Sequence, residues 1–245
     1  MEILGVKIDV TNLATATERI TEWIQAGHKS YVCVAPVATI MDCQRDSVYR
    51  NIINNADMVT PDGMPVVWLG KWRGQHTIGR TYGPDLMLAA CSLSEQKGFR
   101  HYFYGGSEET CNLLVHRLQQ QFPSLQIVGK YSPPVRDMHG QETPEIVNQI
   151  NKAKPDILWV GLGSPKQDYW MSYHRRQLEA PVIIGVGAAF DFLAGTKIQA
   201  PGWIQRSGLE WFFRLCCEPR RLWRRYLIGN FQFAYMLLKD CLVHK

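Results

Sequence analysis

The sequence predicts an α/β protein in which a mainly parallel sheet is flanked by helices. Short apolar runs such as YVCVA, HYFY, DILWV and VIIGV alternate with amphipathic segments of about ten residues or more over most of the chain. This alternation is typical of doubly wound sheets, because parallel strands need long crossovers that are usually helices. Glycine-rich turns follow several of the runs, at the edge where such sheets bind ligands.

The first half of the chain shows the alternation clearly. Residues 14–26 carry Ile20, Trp23 and Ile24 at helical spacing, with Gly27 as the stop. The other elements expected up to residue 97 are an extended start at 2–10, a strand at 31–35, one or two helices over 39–56, a strand at 56–59, a helix at 64–72, a loop at 72–81 and a helix at 83–97.

The second half continues the pattern and then changes to helices alone. Strands are expected at 101–104, 126–131, 156–160 and 182–186, helices at 108–121, 143–154 and 167–177, and a loop at 132–140. Because the strand pattern ends at residue 186, we assign residues 1–201 to an α/β core and residues 202–245 to a helical appendage. Pro219 is expected to separate two helices of this appendage.

The appendage holds the whole net positive charge of the chain. Its last 43 residues contain eight basic and three acidic side chains, whereas the rest has 19 of each, and the total is +5. Nine aromatic residues accompany the charge, which favours an interfacial helix on anionic lipid. The uncharged stretch 226–238 is 13 residues long, short of the roughly 20 that span a bilayer. A helix packed on the core or on another subunit is the alternative, and a homo-oligomer is left open.

The cysteines and the chain start indicate a compartment. Seven cysteines, including Cys241, occur without a CxxC pair or a signal peptide. We therefore expect reduced thiols in a cytoplasmic protein.

The segment 60–65, TPDGMP, places a carboxylate after a predicted strand. Pro61 keeps Thr60 extended, and Gly63 can adopt angles closed to other residues. Asp62 is thus expected at the carboxyl end of a strand, beside a helix amino terminus, where open sheets bind ligands. A Pro-Asp-Gly turn with a capping aspartate explains the same residues.

Three glycine-rich turns predict a phosphate-bearing ligand. They contain Gly105 with Gly106, Gly161 with Gly163, and Gly187. Free amides at the following helices can hold a phosphate. Lys166 stands where a dinucleotide fingerprint has its third glycine, and neither a Walker A loop nor an HExxH motif occurs. Tight packing of strand on helix is the alternative explanation of the glycines.

Several separated motifs occur in a characteristic order: TPDGMP, Arg80 with Gly83 and Asp85, GLGSPKQ, GVGAAFDFLAG, LEWFFRL and EPRRLWRRY. With them the chain resembles the WecG/TagA/CpsF family of bacterial glycosyltransferases, glycosyltransferase family 26, over nearly its whole length. The resemblance implies a Rossmann-like, inverting transferase at the inner face of the cell membrane. Such an enzyme moves a sugar (an N-acetylhexosamine, hexose or uronic acid) from a UDP-sugar to a polyprenyl-diphosphate-linked acceptor, for surface polysaccharide or teichoic acid.

The resemblance also assigns roles to residues. It implies Asp62 as the base, Gln167 and Thr39 in the site, and tail arginines at the nucleotide diphosphate. Apart from the resemblance, we expect Arg220 and Arg225 to contribute to lipid binding. The substrate-binding residues expected from the turns and the resemblance together are Thr39, Arg80, Gly105, Gly106, Gly161, Gly163, Lys166, Gln167, Gly187, Arg214, Arg221 and Arg224. Pro36, Asp168 and Gln199 depart from common family residues, which leaves the sugar open.

The chemistry needs one carboxylate to take the proton of the attacking hydroxyl, and fixed positive groups to face the departing diphosphate. Asp85 and Asp191 compete with Asp62 for the first role. Because the chain has no Asp-x-Asp triplet, we expect no metal cofactor.

Two other functions fit parts of the pattern. One is a non-catalytic nucleotide-binding module docked on the membrane, and the other is a nicotinamide-dependent oxidoreductase. Nucleic acid is not expected as a partner, since no recognised binding motif accompanies the basic residues.

Overall fold

The computed structural model describes residues 1–134 and 142–243, the last three by their backbone alone. Most of the loop expected at 132–140 and the thiol of Cys241 therefore lie outside the described residues. Two short antiparallel strands, β1 (Glu2–Ile3) and β2 (Val6–Lys7), form a hairpin at the start. Six parallel strands form the main sheet: β3 (Ser30–Ala35), β4 (Met58–Pro61), β5 (Arg100–Gly105), β6 (Gln126–Tyr131), β7 (Ile157–Gly161) and β8 (Val182–Gly185).

The strand order in the main sheet is β4-β3-β8-β7-β5-β6, and every pairing is parallel. The α/β fold expected from the sequence is thus confirmed. The strand expected at 56–59 begins two residues later, at Met58, which pairs with Val32; Asp57 precedes it and contacts Tyr31 twice, its amide donating to the Tyr31 carbonyl at 3.1 Å and its carboxylate accepting from the Tyr31 amide at 2.9 Å.

Nine helices of the core connect and cover the strands: α1 (Leu13–Ala26), α2 (Val37–Arg45), α3 (Ser47–Asn54), α4 (Met64–Trp72), α5 (Gly83–Lys97), α6 (Glu108–Gln121), α7 (Pro144–Ala153), α8 (Lys166–His174) and α9 (Ala189–Ala194), counted over the described residues. The segment expected as one or two helices over 39–56 is two. Asp46 separates them, because its carboxylate caps α3 by accepting from the amides of Val48 and Tyr49.

The helices lie in two layers, one on each face of the sheet. One layer contains α2, α3, α7 and α8, which pack with Cys33 and Val160. The other contains α1, α5, α6 and α9, which pack with Val32 and Trp159. The strand β3 leads into α2 on the first face, whereas its neighbour β8 leads into α9 on the opposite face. Such a change of direction opens a crevice at the carboxyl ends of the strands.

The C-terminal segment is helical and folds back on the core. It comprises α10 (Gly202–Arg206), α11 (Glu210–Cys217), α12 (Pro219–Trp223), a π-helical turn (Arg224–Ile228) and α13 (Gly229–Val243). As expected, a helix boundary falls at Pro219. The helix α13 packs against α2 through Phe233, which is only 6% exposed. This docking holds the segment over the carboxyl edge of the sheet.

Candidate active site

A cavity of about 460 Å³ lies between the carboxyl edge of the sheet and the C-terminal helices. Pairing in the sheet puts Ala35 beside Pro61 and Val160 beside Gly185, so the turns after β3, β4, β7 and β8 emerge together. All four turns line the cavity, and residues of α11, α12 and the π-helical turn also line it. The switch point of the sheet is therefore the place where the predicted motifs meet.

Asp62 stands at the end of β4 with its carboxyl group in this cavity. The backbone amide of Asp62 donates to the Ala35 carbonyl at 3.2 Å, which fixes the residue after the last strand pair. Gly63 then turns the chain with φ 85°, a left-handed conformation that favours glycine, and α4 begins at the next residue. The side chain of Asp62 keeps 17% of its surface exposed, so a ligand in the cavity can reach it.

The guanidinium group of Arg80 lies beside this carboxylate and contacts three side chains. Nε of Arg80 is 3.8 Å from Oδ1 of Asp62. Nη1 of Arg80 donates to Oε1 of Gln205 at 2.7 Å, and Nη2 donates to Oε2 of Glu210. The ring of Tyr82 supports the group from below, with its centroid 3.9 Å from Cζ of Arg80. Two of the three polar contacts of Arg80 are thus with the C-terminal segment, and the third is with Asp62, the candidate base.

These surroundings set the pKa of Asp62. Burial raises this pKa from its ordinary 3.8 to about 6, since the charged form loses water; Arg80 opposes the rise and Glu210 adds to it. A carboxylate with a near-neutral pKa is a stronger base than an exposed one and is still ionised at pH 7. Asp62 is therefore suited to accept a proton from a hydroxyl group.

Gln167 ties two of the glycine-rich turns together. Its Oε1 accepts from the Gly187 amide at 2.8 Å, and its Nε2 donates to Oγ of Ser164 at 3.3 Å. The residue lines the cavity but is 2% exposed. Much of its hydrogen-bonding capacity is used within the protein, so it shapes the floor of the site.

Eight of the expected substrate-binding residues line the cavity, and four do not. The eight are Arg80, Gly161, Gly163, Lys166, Gln167, Gly187, Arg214 and Arg221. Among the four, Gly105 serves packing instead: a Cβ there would lie 2.6 Å from the carbonyl carbon of Gly161, and the Gly106 amide donates to the Gly161 oxygen at 3.2 Å. For these two glycines, close strand packing is the better explanation.

Thr39 and Arg224 are the other two outside the lining. Thr39 is fully buried in α2, and within the described residues its hydroxyl has no hydrogen-bond partner. Arg224 is exposed, and its guanidinium lies 5.2 Å from the ring of Trp223. The neighbouring Arg225 lines the cavity instead. Among the described residues the lining thus includes Arg221 and Arg225, which are four residues apart, but not Arg224, which differs from the expected division between Arg224 and Arg225.

Sequence reasoning also missed four further residues of the lining. Glu210 and Trp211 belong to LEWFFRL, a motif from which only Arg214 was chosen, and Tyr226 ends EPRRLWRRY, from which only arginines were chosen; Gln205 belongs to no motif noted above. The spacing of four between Arg221 and Arg225 was the available signal for Arg225, since such residues share a helix side.

The cavity carries a surplus of positive charge. Of the described residues that line it, three are acidic and six are basic. The acidic ones are Asp62, Asp191 and Glu210, and the basic ones are Arg80, Lys166, Lys197, Arg214, Arg221 and Arg225. Lys197 pairs with Asp191 at 2.8 Å, and Arg221 pairs with Glu218 outside the lining. In the part of the chain that the structure describes, Arg214 makes no ion pair and lies 5.3 Å from the ring of Phe192.

Backbone groups add to this charge. The first turn of α2 lines the same cavity, and its N-cap residue, Pro36, provides no side-chain cap. The first residue of α8, Lys166, also lines the cavity. Amides at helix amino termini favour anions. The arrangement suits a ligand with a phosphate or diphosphate beside a reacting group near Asp62.

The sequence is similar to a group of known proteins over its full length. It matches the model described as "Glycosyl transferase WecG/TagA/CpsF family" over residues 1–245. A relative from Bacillus spizizenii is 28% identical over 207 residues, 84% of this chain and 78% of the relative. A relative from Bacillus subtilis is 27% identical over 239 residues, 94% of this chain and 91% of the relative. One from Staphylococcus aureus is 26% identical over 238 residues, 95% of this chain and 91% of the relative. All three are named N-acetylglucosaminyldiphosphoundecaprenol N-acetyl-beta-D-mannosaminyltransferase.

Proposed function

Because the chain belongs to the WecG/TagA/CpsF family of glycosyl transferases, we propose that it moves a sugar from a UDP-sugar to a polyprenyl-diphosphate-linked acceptor with inversion. The observation that carries the proposal is the carboxylate of Asp62, at the end of β4 and only 17% exposed, in a cavity with surplus cations. The names of the relatives specify N-acetylmannosamine as the sugar and an N-acetylglucosaminyl lipid diphosphate as the acceptor. We carry over the acceptor class and an N-acetylhexosamine donor.

The proposed mechanism uses groups that line the cavity. The acceptor hydroxyl attacks the anomeric carbon, and the carboxylate of Asp62 takes its proton. The bond between the anomeric carbon and the diphosphate oxygen breaks, and UDP leaves with the electron pair. Positive charge develops on the sugar, as in glycoside hydrolysis. Arg214, Arg225 and the first turn of α2 stabilise the negative charge that grows on the diphosphate.

A donor screen tests this function. Purified protein is mixed with a lipid-diphosphate acceptor bearing N-acetylglucosamine and with single UDP-sugars, beginning with UDP-N-acetylmannosamine. We expect release of UDP and a glycosylated lipid whose mass identifies the sugar. Binding of UDP without turnover across the panel would favour the non-catalytic module. Binding of NAD without binding of UDP would favour the oxidoreductase.

We also propose that the C-terminal helices rest on the inner face of the cell membrane. Five large apolar side chains, three or four residues apart, are 40–77% exposed along one side of the last helices: Trp223, Leu227, Phe231, Tyr235 and Leu238. The opposite side packs on the core through Phe233. None of the described helices is long and apolar enough to cross a membrane. An exposed apolar side beside Arg220 and Arg224 suits peripheral binding to anionic lipid.

The adjacent residues Arg224 and Arg225 provide matched variants that test the two roles proposed for this segment, lipid binding and transfer. Arg224→Glu should weaken co-sedimentation with phosphatidylglycerol vesicles about tenfold, because it reverses a charge at the lipid. The effect should shrink in high salt, which screens surface charges over about 10 Å or less. Transfer to a soluble acceptor with a shortened lipid should stay unchanged.

Arg225→Ala should have the opposite profile. It removes a cation from the cavity, so transfer to the soluble acceptor should fall about 10²-fold. Vesicle binding should change little. Equal effects of both substitutions on both assays would contradict this division of the arginines.

Transfer should continue in the presence of a chelator. The basic side chains and helix amino termini that line the cavity can offset the negative charge of the leaving group, and the sequence has no Asp-x-Asp triplet. Turnover of the soluble acceptor is measured with and without EDTA. Loss of turnover in EDTA and its recovery with magnesium or manganese would show that a metal takes this role.

A further inference from the structure

Glu210 is an acidic residue at the start of α11 whose role the transfer mechanism leaves unexplained. Its carboxylate accepts from Nη2 of Arg80, and only 15% of its side chain is exposed. The guanidinium of Arg80 is 12% exposed and also donates to Gln205. A charge pair this deep in a cavity is weakly screened, unlike a surface ion pair.

We propose that Glu210 is a positioning residue that draws Arg80 towards the C-terminal segment and so keeps Asp62 a competent base. This inference rests on the proposed function, in which Asp62 takes the acceptor proton. It assigns to the C-terminal segment a task besides binding phosphate or lipid.

The geometry at Arg80 supports the inference. A guanidinium group prefers to bind one carboxylate with two parallel hydrogen bonds. Here Nη1 and Nη2 are directed to Gln205 and Glu210, and Nε alone faces Asp62, at 3.8 Å. That separation is longer than a hydrogen bond. Without Glu210, the same group could turn and bind Asp62 through two nitrogens.

Two carboxylates therefore compete for one cation. A bidentate pair would stabilise ionised Asp62 and make it a weaker base. Glu210 prevents this by holding the guanidinium, and its own negative charge disfavours a second negative charge nearby. Both effects act in one direction, towards a more basic Asp62.

Other charged and titratable groups also act on this carboxylate. Burial contributes most, and it raises the pKa of Asp62; Arg80 and Arg214 lower this pKa, whereas Glu210 and Asp85 raise it. Two phenols also lie in the electrostatic surroundings of Asp62, those of Tyr82 and Tyr226. Of these groups, Glu210 alone both repels the charge of Asp62 and hydrogen-bonds the nearest arginine described here.

The test is the pH dependence of transfer by Glu210→Gln. The amide keeps an acceptor for Arg80 but loses the charge, so the fold should be retained. We expect the acid limb of kcat/KM on the soluble acceptor to move about one pH unit lower. The rate on the plateau should fall, because a weaker base accepts the proton less readily. Glu210→Asp, which keeps the charge, should hold the limb at its wild-type position.

A measurement without turnover separates this inference from the proposed function. The carboxyl carbon of Asp62 is titrated by NMR in isotope-labelled full-length protein, with Asp62→Asn to assign the signal. A lower pKa of Asp62 in Glu210→Gln supports the inference even if no tested donor is transferred. An unchanged pKa overturns it even if the wild-type protein is an active transferase.

Discussion

Replacing Asp62 by Asn should abolish most transfer while UDP binding stays nearly intact. Asparagine keeps the shape of the side chain but cannot accept a proton at neutral pH, and loss of a general base costs about 10²–10⁴-fold. UDP affinity should be retained because the cavity cations that we assign to the diphosphate, Arg214 and Arg225 among them, remain. Single-turnover rates on the soluble acceptor and calorimetric titration with UDP measure the two properties separately.

Asp85→Asn is the matched control for this substitution. Asp85 is the competing carboxylate in the first turn of α5, and it lies outside the cavity lining. Its variant should transfer at close to the wild-type rate at pH 8. A near wild-type rate for Asp62→Asn, or a large loss for Asp85→Asn, would move the base away from the end of β4.

The pH dependence of the wild-type enzyme follows from the same residue. The base must be ionised, and burial raises the pKa of Asp62 above its ordinary value to about 6. Transfer should therefore be fully present above this pH and lost as the pH falls through it. The acid limb should disappear from the residual activity of Asp62→Asn, which has no carboxyl group there to titrate.

The sequence was sufficient to predict most of the sheet because central parallel strands are buried on both faces and are largely apolar, unlike the edge strand β6 with Gln126 and Lys130. DILWV and VIIGV stand out for this reason, and the turns after them were located to within a few residues. The carboxyl edge then brings Asp62 and Gly161 together without further assumptions. The core of the site could be predicted because it depends on strand ends.

The contribution of the C-terminal helices was harder to predict, because it depends on how they rotate about their axes. Arg224 and Arg225 are neighbours with the same chemistry, yet only Arg225 of the two lines the cavity, beside the buried Leu222. The sequence shows two arginine pairs at a spacing of four and no preference between them. The contact of Glu210 with Arg80 joins residues 130 positions apart, which no local pattern encodes.

The glycines show a second limit of sequence reasoning. A turn that holds a phosphate and a turn that packs tightly need the same residue type. Gly161 lines the cavity, whereas Gly105, on the neighbouring strand, packs against Gly161. Only the order of strands in the sheet separates the two roles.

A chain that ends at Pro201 should lose transfer completely, even to a soluble acceptor. The truncation removes Gln205, Glu210, Arg214 and Arg225 from the cavity and leaves Arg80 free to pair with Asp62. The loss should therefore equal or exceed that of Asp62→Asn. Vesicle binding should disappear as well, because the exposed apolar side and the net positive charge are removed together.

The sheet should survive this truncation, since β8 ends at Gly185 and every strand described here precedes the cut. Loss of Phe233 uncovers α2, however, and removal of one buried phenylalanine side chain costs about 3–5 kcal/mol. We expect a native-like circular dichroism spectrum and a lower Tm.

The matched full-length control is Phe231→Ser with Tyr235→Ser, which removes two exposed side chains but none of the cavity. This control should lose vesicle binding and keep transfer to the soluble acceptor. Full activity of the truncated chain on that acceptor would show that the C-terminal segment serves only as a membrane anchor. Unchanged vesicle binding by the truncated chain would show that the segment acts only within the site.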